Sequence, residues 1–401
     1  MIPVEFLLFG ATLVGVAVLH RHTLAIALLG LAAITAYKVL FGDFYGAPGA
    51  MGLIFHLDAE WVILVNLFAL LVGFALLSRH FELSQLPKVL PRILPDDWKG
   101  GFVLLALVFV VSAFLDNIAA AMIGATIAAA VFRGKVHIGY LAAIVAASNA
   151  GGSGSVVGDT TTTMMWLDGV APLDVLHAYV AAAAAFLVFA IPAARQQQRF
   201  SPIQADPDPQ IRVDVSRLLV VAIVLVGAVA ANVYSNRLPE GRAGNFPYIG
   251  ATVIGILMFL TPWRRPDFTV LPAAAKGSLF LLALVLSASM MPVESLPPAT
   301  AQTTFGLGFL SAVFDNIPLT KLALEQGGYD WGVLAYAVGF GGSMIWFGSS
   351  AGVAVSNLFS EARSVGQWLR HGWHVAVGYV VGFIVLMLVL GWQPQAAHRV
   401  F

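Results

Sequence analysis

Residues 112–121 read SAFLDNIAAA and residues 311–320 read SAVFDNIPLT, and each stretch places an Asp-Asn pair inside a long apolar segment. The second aspartate, Asp315, follows the first, Asp116, by 315 − 116 = 199 residues in a chain of 401. An acidic side chain near the middle of a bilayer costs about 3 kcal/mol on insertion scales, so such residues usually line the path of an ion or a substrate. The repetition predicts a duplicated structural unit of a secondary transporter, with these carboxylates at its centre.

The composition indicates a membrane protein with many spans. Hydrophobic residues make up 59% of the chain and charged residues only 10%, and several apolar runs are long enough to cross a bilayer. The absence of cysteine excludes disulfides, thiolate metal sites and cysteine nucleophiles. The sequence shows no nucleophile-base pair, metal motif or phosphate loop, so we expect neither an enzyme nor an ATPase, and no cofactor or nucleic-acid partner.

Two glycine-rich loops repeat in the same order as the Asp-Asn pairs. Residues 151–160 read GGSGSVVGDT and residues 341–350 read GGSMIWFGSS, at an offset of 341 − 151 = 190. Glycines in the middle of an apolar segment lower helix propensity, so each loop predicts a discontinuous helix. The apolar run around Asp116 is too long for one span of about 20 residues, which favours a re-entrant hairpin there and around the second pair.

The order of these elements predicts an all-α membrane protein built from two halves. The first half covers residues 1–194, with the hairpin at about 100–132 and the broken helix at about 138–166. Its remaining spans are 2–19, 23–40, 61–78 and 172–194. This half has five crossings, counting the broken helix, and one hairpin that returns to its own side.

The second half repeats this order over residues 218–401, with a hairpin at about 300–324 and a broken helix at about 331–360. Residues 195–217 form a hydrophilic linker between the halves. The remaining spans are 218–234, 247–260, 277–292 and 373–390. Because five crossings are an odd number, the second half is inverted relative to the first, which is an architecture that alternating-access carriers share.

Basic residues indicate the orientation. If the loop after the third span is assigned to one side, 16 of the 21 lysines and arginines fall there, and the positive-inside rule makes that side cytoplasmic. We predict a cytoplasmic linker, both termini outside, and a place in the lipid bilayer of a bacterial inner membrane. The sixteen are Arg21, Arg79, Lys88, Arg92, Lys99, Arg133, Lys135, Arg195, Arg199, Arg212, Arg217, Arg264, Arg265, Lys276, Arg363 and Arg370. The other five are Lys38, Arg237, Arg242, Lys321 and Arg399.

The residue types at the two tips suit a hard monovalent cation. A half-helix that ends inside the membrane exposes carbonyl oxygens with a partial negative charge, and Asp and Asn side chains beside them complete a set of oxygen ligands. We expect Na⁺ at Asp116, Asn117, Asp159, Asp315 and Asn316. The glycine loops add further oxygens from Ser153, Thr160, Ser343, Ser349 and Ser350. The carboxylate in the first loop aligns with a serine in the second, so the first site has an extra acid.

The same residues carry a resemblance to a known family. The Asp-Asn-Ile tips, with SNAGGSGSVVGDTTTTMMW at 148–166 and GGSMIWFGSSAGVAVSN at 341–357, resemble the NhaD-type sodium/proton antiporters. That family belongs to the ion-transporter superfamily, which also includes arsenite carriers and citrate and dicarboxylate carriers. The resemblance implies a homodimer with a scaffold part and an elevator-like transport part. Ser148 and Asn149 open the first motif and join the candidate ligands.

The expected activity is exchange of Na⁺ or Li⁺ for H⁺ by alternating access. Burial favours a protonated carboxyl group, whereas a neighbouring metal cation favours the ionised one, so the two ions compete. Two other carriers remain open: a sodium- or proton-coupled carrier of citrate or another organic anion, and an arsenite-type carrier. The acids at the tips argue against a site built for citrate, because their charge has the wrong sign.

Structural roles compete with each of these assignments. Asp116 and Asp315 could simply cap helices, and Asp159 stands where it could cap the helix that begins at Thr160. The loop serines could satisfy backbone groups instead of an ion. Lys321, in the second arm of the second hairpin, is either a counter-charge to Asp315 or, more in keeping with a long basic side chain, extends toward the interface.

Overall fold

The structure is a computed structural model, and it describes residues 3–19, 22–44, 47–89, 94–203, 212–235 and 246–395. Both chain ends, residues 204–211 of the predicted linker and five counted arginines lie outside the described residues. These arginines are Arg21, Arg92, Arg237, Arg242 and Arg399. The described chain is mostly helical and includes a short antiparallel pair of strands, β1 (Asp43–Phe44) and β2 (Ala47–Pro48).

The first half of the chain contains ten helices among its described residues. They are α1 (Val4–Val18), α2 (Thr23–Phe41), α3 (Gly49–Leu83), α4 (Leu86–Val89), α5 (Trp98–Ser112), α6 (Asn117–Val131), α7 (Ile138–Gly152), α8 (Thr160–Leu167), α9 (Pro172–Leu176) and α10 (Ala178–Phe200). Helix α3 has 35 residues, about 52 Å at 1.5 Å per residue, and extends beyond both ends of the span predicted at 61–78. It continues through the polar residues before Trp61 because Glu60 is buried and paired.

The second half contains nine α-helices among its described residues. They are α11 (Val215–Ser235), α12 (Tyr248–Leu260), α13 (Leu271–Ser289), α14 (Ala301–Ser311), α15 (Asn316–Gln326), α16 (Trp331–Gly341), α17 (Ser350–Leu358), α18 (Val365–His371) and α19 (Trp373–Val389). Short 3₁₀ turns lie at Phe268–Val270, Val293–Ser295 and Ser360–Arg363. Helix α13 begins six residues earlier than the span predicted from residue 277, because the preceding Phe268–Val270 turn leads directly into it.

Five helices within the described ranges are long and apolar enough to cross a bilayer, and a sixth span results if α18 and α19, bent by 61°, are taken together. Large apolar side chains on these spans and on the shorter apolar helix α12 point outward, among them Leu29, Phe259 and Leu388, which are 71%, 82% and 80% exposed. In water such a surface would be unfavourable, whereas a bilayer covers it without cost. The protein is an all-α integral membrane protein.

Helices are interrupted at both Asp-Asn motifs. Helix α5 ends at Ser112 and α6 begins at Asn117, while α14 ends at Ser311 and α15 begins at Asn316. At each break the aspartate caps the second helix, because Asp116 Oδ2 accepts from the Ile118 amide and Asp315 Oδ1 accepts from the Ile317 amide, both at 3.1 Å. The side chain thus replaces the backbone partner that a first-turn amide lacks.

The helices pack as two groups. In one group α3 contacts α11, α12 and α13, and α13 also contacts α2, which pairs with α1. In the other, α7 contacts α5 and α10, α16 contacts α14 and α19, and α10 packs along α19. The second parts of the broken helices cross over between the halves, since α17 packs on α6 and α8 packs on α15. The motifs of both halves therefore come together in the second group.

One glycine in each half allows the broken helix to lie against the backbone of the helix that precedes the Asp-Asn motif. A Cβ atom at Gly151 would overlap the carbonyl oxygen of Phe109 on α5, and one at Gly341 would overlap that of Gly308 on α14. The two glycines are 190 residues apart and serve the same approach in each half. The close approach fixes the glycine loops next to the Asp-Asn motifs.

Candidate functional site

Asp159 lies where the two Asp-Asn motifs meet. Its Oδ1 atom accepts from the Asn117 side-chain amide at 3.0 Å and from the Asn316 side-chain amide at 3.5 Å. The Asp159 residue is 1% exposed, and the two asparagines are 4% and 3% exposed. A single carboxylate thus connects tips that are about half a chain apart in sequence.

Asn149 extends this network to the second glycine loop. Its Oδ1 accepts from Asn117 at 3.0 Å, and its Nδ2 donates to the hydroxyls of Ser343 at 2.9 Å and Ser349 at 3.1 Å. Ser349 in turn caps α17 by accepting from the Gly352 amide at 3.2 Å. Residues from α6, α7, α15 and both glycine loops therefore form one hydrogen-bonded group, which we call the central cluster. Its members are Asn117, Asn149, Asp159, Asn316, Ser343 and Ser349.

One oxygen of the central cluster lacks a partner. Among the described residues, Asp159 Oδ2 is buried and has no hydrogen-bond partner, and the Asp159 side chain does not cap α8. The atom faces Gly339 on α16, where an added Cβ would come within 2.8 Å of it. A buried carboxylate oxygen without a donor is costly unless a proton or a cation satisfies it. The Asp159 side chain makes no well-formed capping bond to α8, although the amide and hydroxyl of Thr161 in the first turn of that helix lie near the carboxylate.

Asp116 and Asp315 lie beside the central cluster and are partly exposed. Asp315 Oδ2 accepts from the Ser350 hydroxyl at 3.3 Å, in addition to the capping bond that its other oxygen makes. Both carboxylates are close enough to Asp159 to interact with it electrostatically. Three acids therefore share one region, and the capping role predicted as an alternative for the two tips coexists with their place at the site.

Three other candidate ligands have local roles. The Ser148 hydroxyl donates to the Val145 carbonyl at 2.9 Å, and the Ser153 hydroxyl donates to the Ala150 carbonyl at 2.8 Å. Thr160 is buried as the first residue of α8. The two serines thus satisfy backbone groups of their own helix, as the competing structural interpretation expects.

A cavity of about 390 Å³ leads to one of the tips. Asp116 and Ser350 lie on its wall, and the rest of the lining comes from α3, α6 and α13, including Met122 on α6. Arg79 and Glu82, near the end of α3, also line it. Arg79 donates to Glu82 at 2.9 Å and to Asp267 at 2.8 Å. The cavity therefore reaches from this end of α3 to the first tip.

Two serines hold the hairpin arms to the broken helices in the same way. The Ser112 hydroxyl donates to the Ser148 carbonyl and the Ser311 hydroxyl donates to the Val338 carbonyl, each at 2.6 Å. All four residues are buried. These serines open the two repeated motifs, and their constant position in the repeat was the signal from which this role could have been inferred.

A second charged group was missed at the sequence level. Lys321 on α15 is 1% exposed and lies 2.9 Å from Glu60 on α3 and 2.5 Å from Glu325 one turn along its own helix. The expectation that Lys321 extends toward the interface is therefore wrong. Its side chain is held inside by the two acids, and the sequence gave no indication of Glu60 as a partner.

No family model matches the chain. Sodium/proton antiporter 1 of Arabidopsis thaliana is 27% identical to it over 296 residues, which are 64% of this chain and 49% of that protein. The chain therefore aligns with about half the length of this relative. Sodium/proton antiporter 2 of the same plant is 26% identical over 306 residues, covering 67% of this chain and 70% of that protein.

The chain is related to sodium/proton antiporters. The Na(+)/H(+) antiporter NhaD of Alkalimonas amylolytica is 25% identical over 339 residues, covering 72% of this chain and 68% of that protein. The resemblance predicted from the tips and the glycine loops is thus confirmed. All these relatives are named for transport and none for an enzymatic reaction, in agreement with the expectation that the chain is not an enzyme.

The central cluster has the chemistry of a site for an alkali cation. Its members offer carboxylate, amide and hydroxyl oxygens, which are the ligands that hard cations prefer. Among the described residues, no group of three or more His, Asp or Glu side chains is arranged to hold a metal ion.

Proposed function

We propose that the protein exchanges Na⁺ or Li⁺ for H⁺ across the membrane by alternating access. The observation that carries this proposal is the buried Asp159 carboxylate, which joins both tips and has one oxygen without a hydrogen-bond partner among the described residues. A proton or a cation can satisfy that oxygen, but not both at once. The names of the relatives point to the same pair of ions.

The three acids give the exchange its physical basis. With Asp116 and Asp315 near Asp159, the site concentrates negative charge that a cation or protons must compensate. A bound cation favours the ionised carboxylates, and proton binding weakens the cation, so each ion expels the other. An uncompensated site is costly to move through a low-dielectric region, and movement is therefore favoured only with one of the ions bound.

For the architecture we propose two inverted repeats, 1–194 and 218–401, with α5–α6 and α14–α15 as re-entrant hairpins. The equivalent capping, serine and glycine contacts in the two halves support this arrangement. The group around α3 and α13 would serve as the scaffold, and the group around α7 and α16 would move. The cavity at the Arg79 end of α3 corresponds to an inward-facing state.

For the orientation we propose that the Arg79 end of α3 is cytoplasmic, because the loops predicted on that side have most of the basic residues. The linker 195–217 then lies inside and both termini outside. We also propose a homodimer, which the resemblance implies, and a bacterial inner membrane, which the origin of relatives such as NhaD of Alkalimonas amylolytica supports. The alkali cation, H⁺ and the surrounding lipid are then the only partners that the mechanism requires.

The test is an ion-jump experiment on reconstituted protein. Purified protein in liposomes that contain a pH-sensitive dye is exposed in turn to equal concentrations of Na⁺, Li⁺, citrate and arsenite, while charge movement is recorded on a solid-supported membrane. We expect Na⁺ and Li⁺ to drive proton movement in the opposite direction. Citrate or arsenite uptake without a proton response to Na⁺ would instead establish one of the other carriers and reject the proposal.

A further inference from the structure

Glu60, Lys321 and Glu325, which we call the ion triad, lie outside the central cluster and have no part in the proposed exchange chemistry. The three side chains are 0%, 1% and 8% exposed. Lys321 and Glu325 belong to α15, the second arm of the second hairpin, whereas Glu60 belongs to α3 in the other helix group. The Lys321–Glu60 contact at 2.9 Å is thus a charged bridge between the two groups.

The equivalent position in the first hairpin has a different environment. Subtracting the motif offset gives 321 − 199 = 122, and Met122 on α6 lines the open cavity between α6, α3 and α13. The same place on the second hairpin arm has a lysine that closes against α3. At this position one arm faces an open space and its counterpart is bound to the same scaffold helix by a buried ion pair. Other residues of α15, among them Leu319 and Leu322, line a separate cavity of about 500 Å³ against α1 and α14.

The closed and open places lie toward opposite ends of α3. Glu60 and Arg79 are 19 residues apart on this helix, which is about 28 Å along its axis. Arg79 lies at the cavity, where the path to Asp116 is open. The ion triad lies toward the other end of α3, and none of its three residues lines that cavity. This is the arrangement that alternating access requires, with one path open and the opposite one closed.

We propose that the ion triad is the closure of the second path: the Lys321–Glu60 bridge holds α15 against the scaffold while the cavity at the Arg79 end is open, and it separates when the Glu60 end opens. This inference rests on the proposed function for its role in transport, but the bridge itself is an observed contact. Charged groups suit such a closure. Buried ions are stable only while paired, and on opening water solvates them, so the closed and open states both satisfy the charges.

The absence of cysteine in the natural sequence permits a direct test, because a single introduced cysteine is the only thiol. Ala288 on α13 is 0% exposed and belongs to the same apolar group as Leu322, the residue after Lys321. In the closed state Ala288→Cys is shielded, and separation of α15 from α13 exposes it. The rate of its labelling by a membrane-impermeant maleimide, in proteoliposomes of known orientation, therefore measures opening.

Two variants break the bridge in different ways. Lys321→Met introduces the side chain that the first hairpin has at the equivalent position and leaves two acids without their lysine. Glu60→Gln removes the bridge to α3 but retains the Lys321–Glu325 pair within α15, so it decides the question if the first variant does not fold. We expect labelling of Ala288→Cys to accelerate by about tenfold or more in both, the result of a population shift toward the open form.

Arg79→Met is the matched control. It removes a cation from the other end of α3 whose partners, Glu82 and Asp267, lie at the cavity. We expect it to leave labelling of Ala288→Cys at the parental rate. Parental labelling in folded, monodisperse Lys321→Met and Glu60→Gln would overturn the inference, as would equal acceleration by the Arg79 variant. Labelling does not require exchange, so a protein without Na⁺/H⁺ activity that still shows this pattern would reject the proposed function and retain the closure.

Discussion

The two halves of the protein share a frame and differ at its centre. In both, an aspartate caps the second hairpin helix, a serine bonds to the broken helix at 2.6 Å, and a glycine allows close backbone approach. At the centre, Asn149 of the first half contacts Ser349 of the second. The residue equivalent to Asn149 is Gly339, and the residue equivalent to Ser349 is Asp159. At this second pair a carboxylate faces a glycine. The contacts that support the helices are thus equivalent in the two halves, whereas the residues that form the site differ between them.

This difference has a simple physical reading. In the proposed inverted repeat, equivalent residues from the two halves occupy one small volume at the centre. A large Asn149 is accommodated by a small Ser349, and the acidic Asp159 is accommodated by Gly339. If Asp159 and its equivalent, Ser349, were both acidic, the two carboxylates would repel each other. With only Asp159 acidic, the centre has one strong cation ligand without that repulsion.

The largest expected effect comes from substituting the two equivalent central residues, one in each half. Asp159→Asn retains the shape but removes the charge, and we expect exchange to fall by more than the ~10–100-fold that loss of an outer-shell partner costs at metal sites. Ser349→Ala removes one acceptor of Asn149 and the side-chain cap of α17 but no charge, and it should retain measurable exchange. Sodium-evoked proton flux in proteoliposomes measures both. Equal activity of the two variants would show that the centre is functionally symmetric.

The next effect concerns the space beside Asp159. Gly339→Ala places a Cβ within 2.8 Å of Asp159 Oδ2, so we expect the apparent affinity for Na⁺ to fall by about tenfold, in the range for disturbed metal surroundings. Gly255→Ala is the control, because an added Cβ there meets nothing within 4 Å. The measurement is the Na⁺ dependence of proton flux. An unchanged apparent affinity in Gly339→Ala would separate the glycine from the site.

The shared frame predicts matched losses of stability. Ser112→Ala and Ser311→Ala each remove one hydrogen bond to a buried helical carbonyl oxygen, at a cost of about 0.5–1.5 kcal/mol. We expect similar decreases in the melting temperature of the detergent-solubilised protein for the two variants. A large decrease in one and none in the other would contradict the equivalence of the two supports.

The smallest effect lies at the cavity entrance, where Asp267 joins α13 to Arg79 on α3. Hydrogen bonds from Thr269 and Arg79 lower the pKa of the Asp267 carboxyl from 3.8 to about 2. Because the folded state has the lower pKa, its stabilising effect is complete above pH 3.8 and is lost as the pH falls through about 2. Asp267→Asn should melt slightly below the parent at pH 6, and the difference should disappear toward pH 2. A difference independent of pH would assign it to packing.

Several elements could be predicted from sequence because their causes are local. The Asp-Asn pairs, the glycine loops and the apolar runs indicate helix breaks at residues where helices end in the structure, since capping and glycine act over a few residues. The full length of α3 could not be predicted. Its first turns contain His56, Asp58 and Glu60, which resemble a polar loop until Lys321, 261 residues later, is placed beside Glu60.

The candidate site divides in the same way. Asp116, Asp159 and Asp315 stand out in the sequence because acids in apolar segments need a reason. Their relations do not stand out in the sequence. Which carboxylate joins both tips and which glycine makes room for Asp159 Oδ2 depend on contacts between residues from 42 to 339 − 159 = 180 positions apart. Which serines bond to backbone carbonyls is a local matter, but the residue type alone does not show it.

The sequence by itself determined that this is an all-α membrane protein with duplicated acidic motifs that resembles sodium/proton antiporters, because composition, spacing and motif identity are properties of the chain alone. The tertiary structure decided that Asp159 is the meeting point, that Gly339 faces it, and that Lys321 binds Glu60. These assignments depend on distances between residues far apart in the chain, and only packing of the folded helices sets those distances.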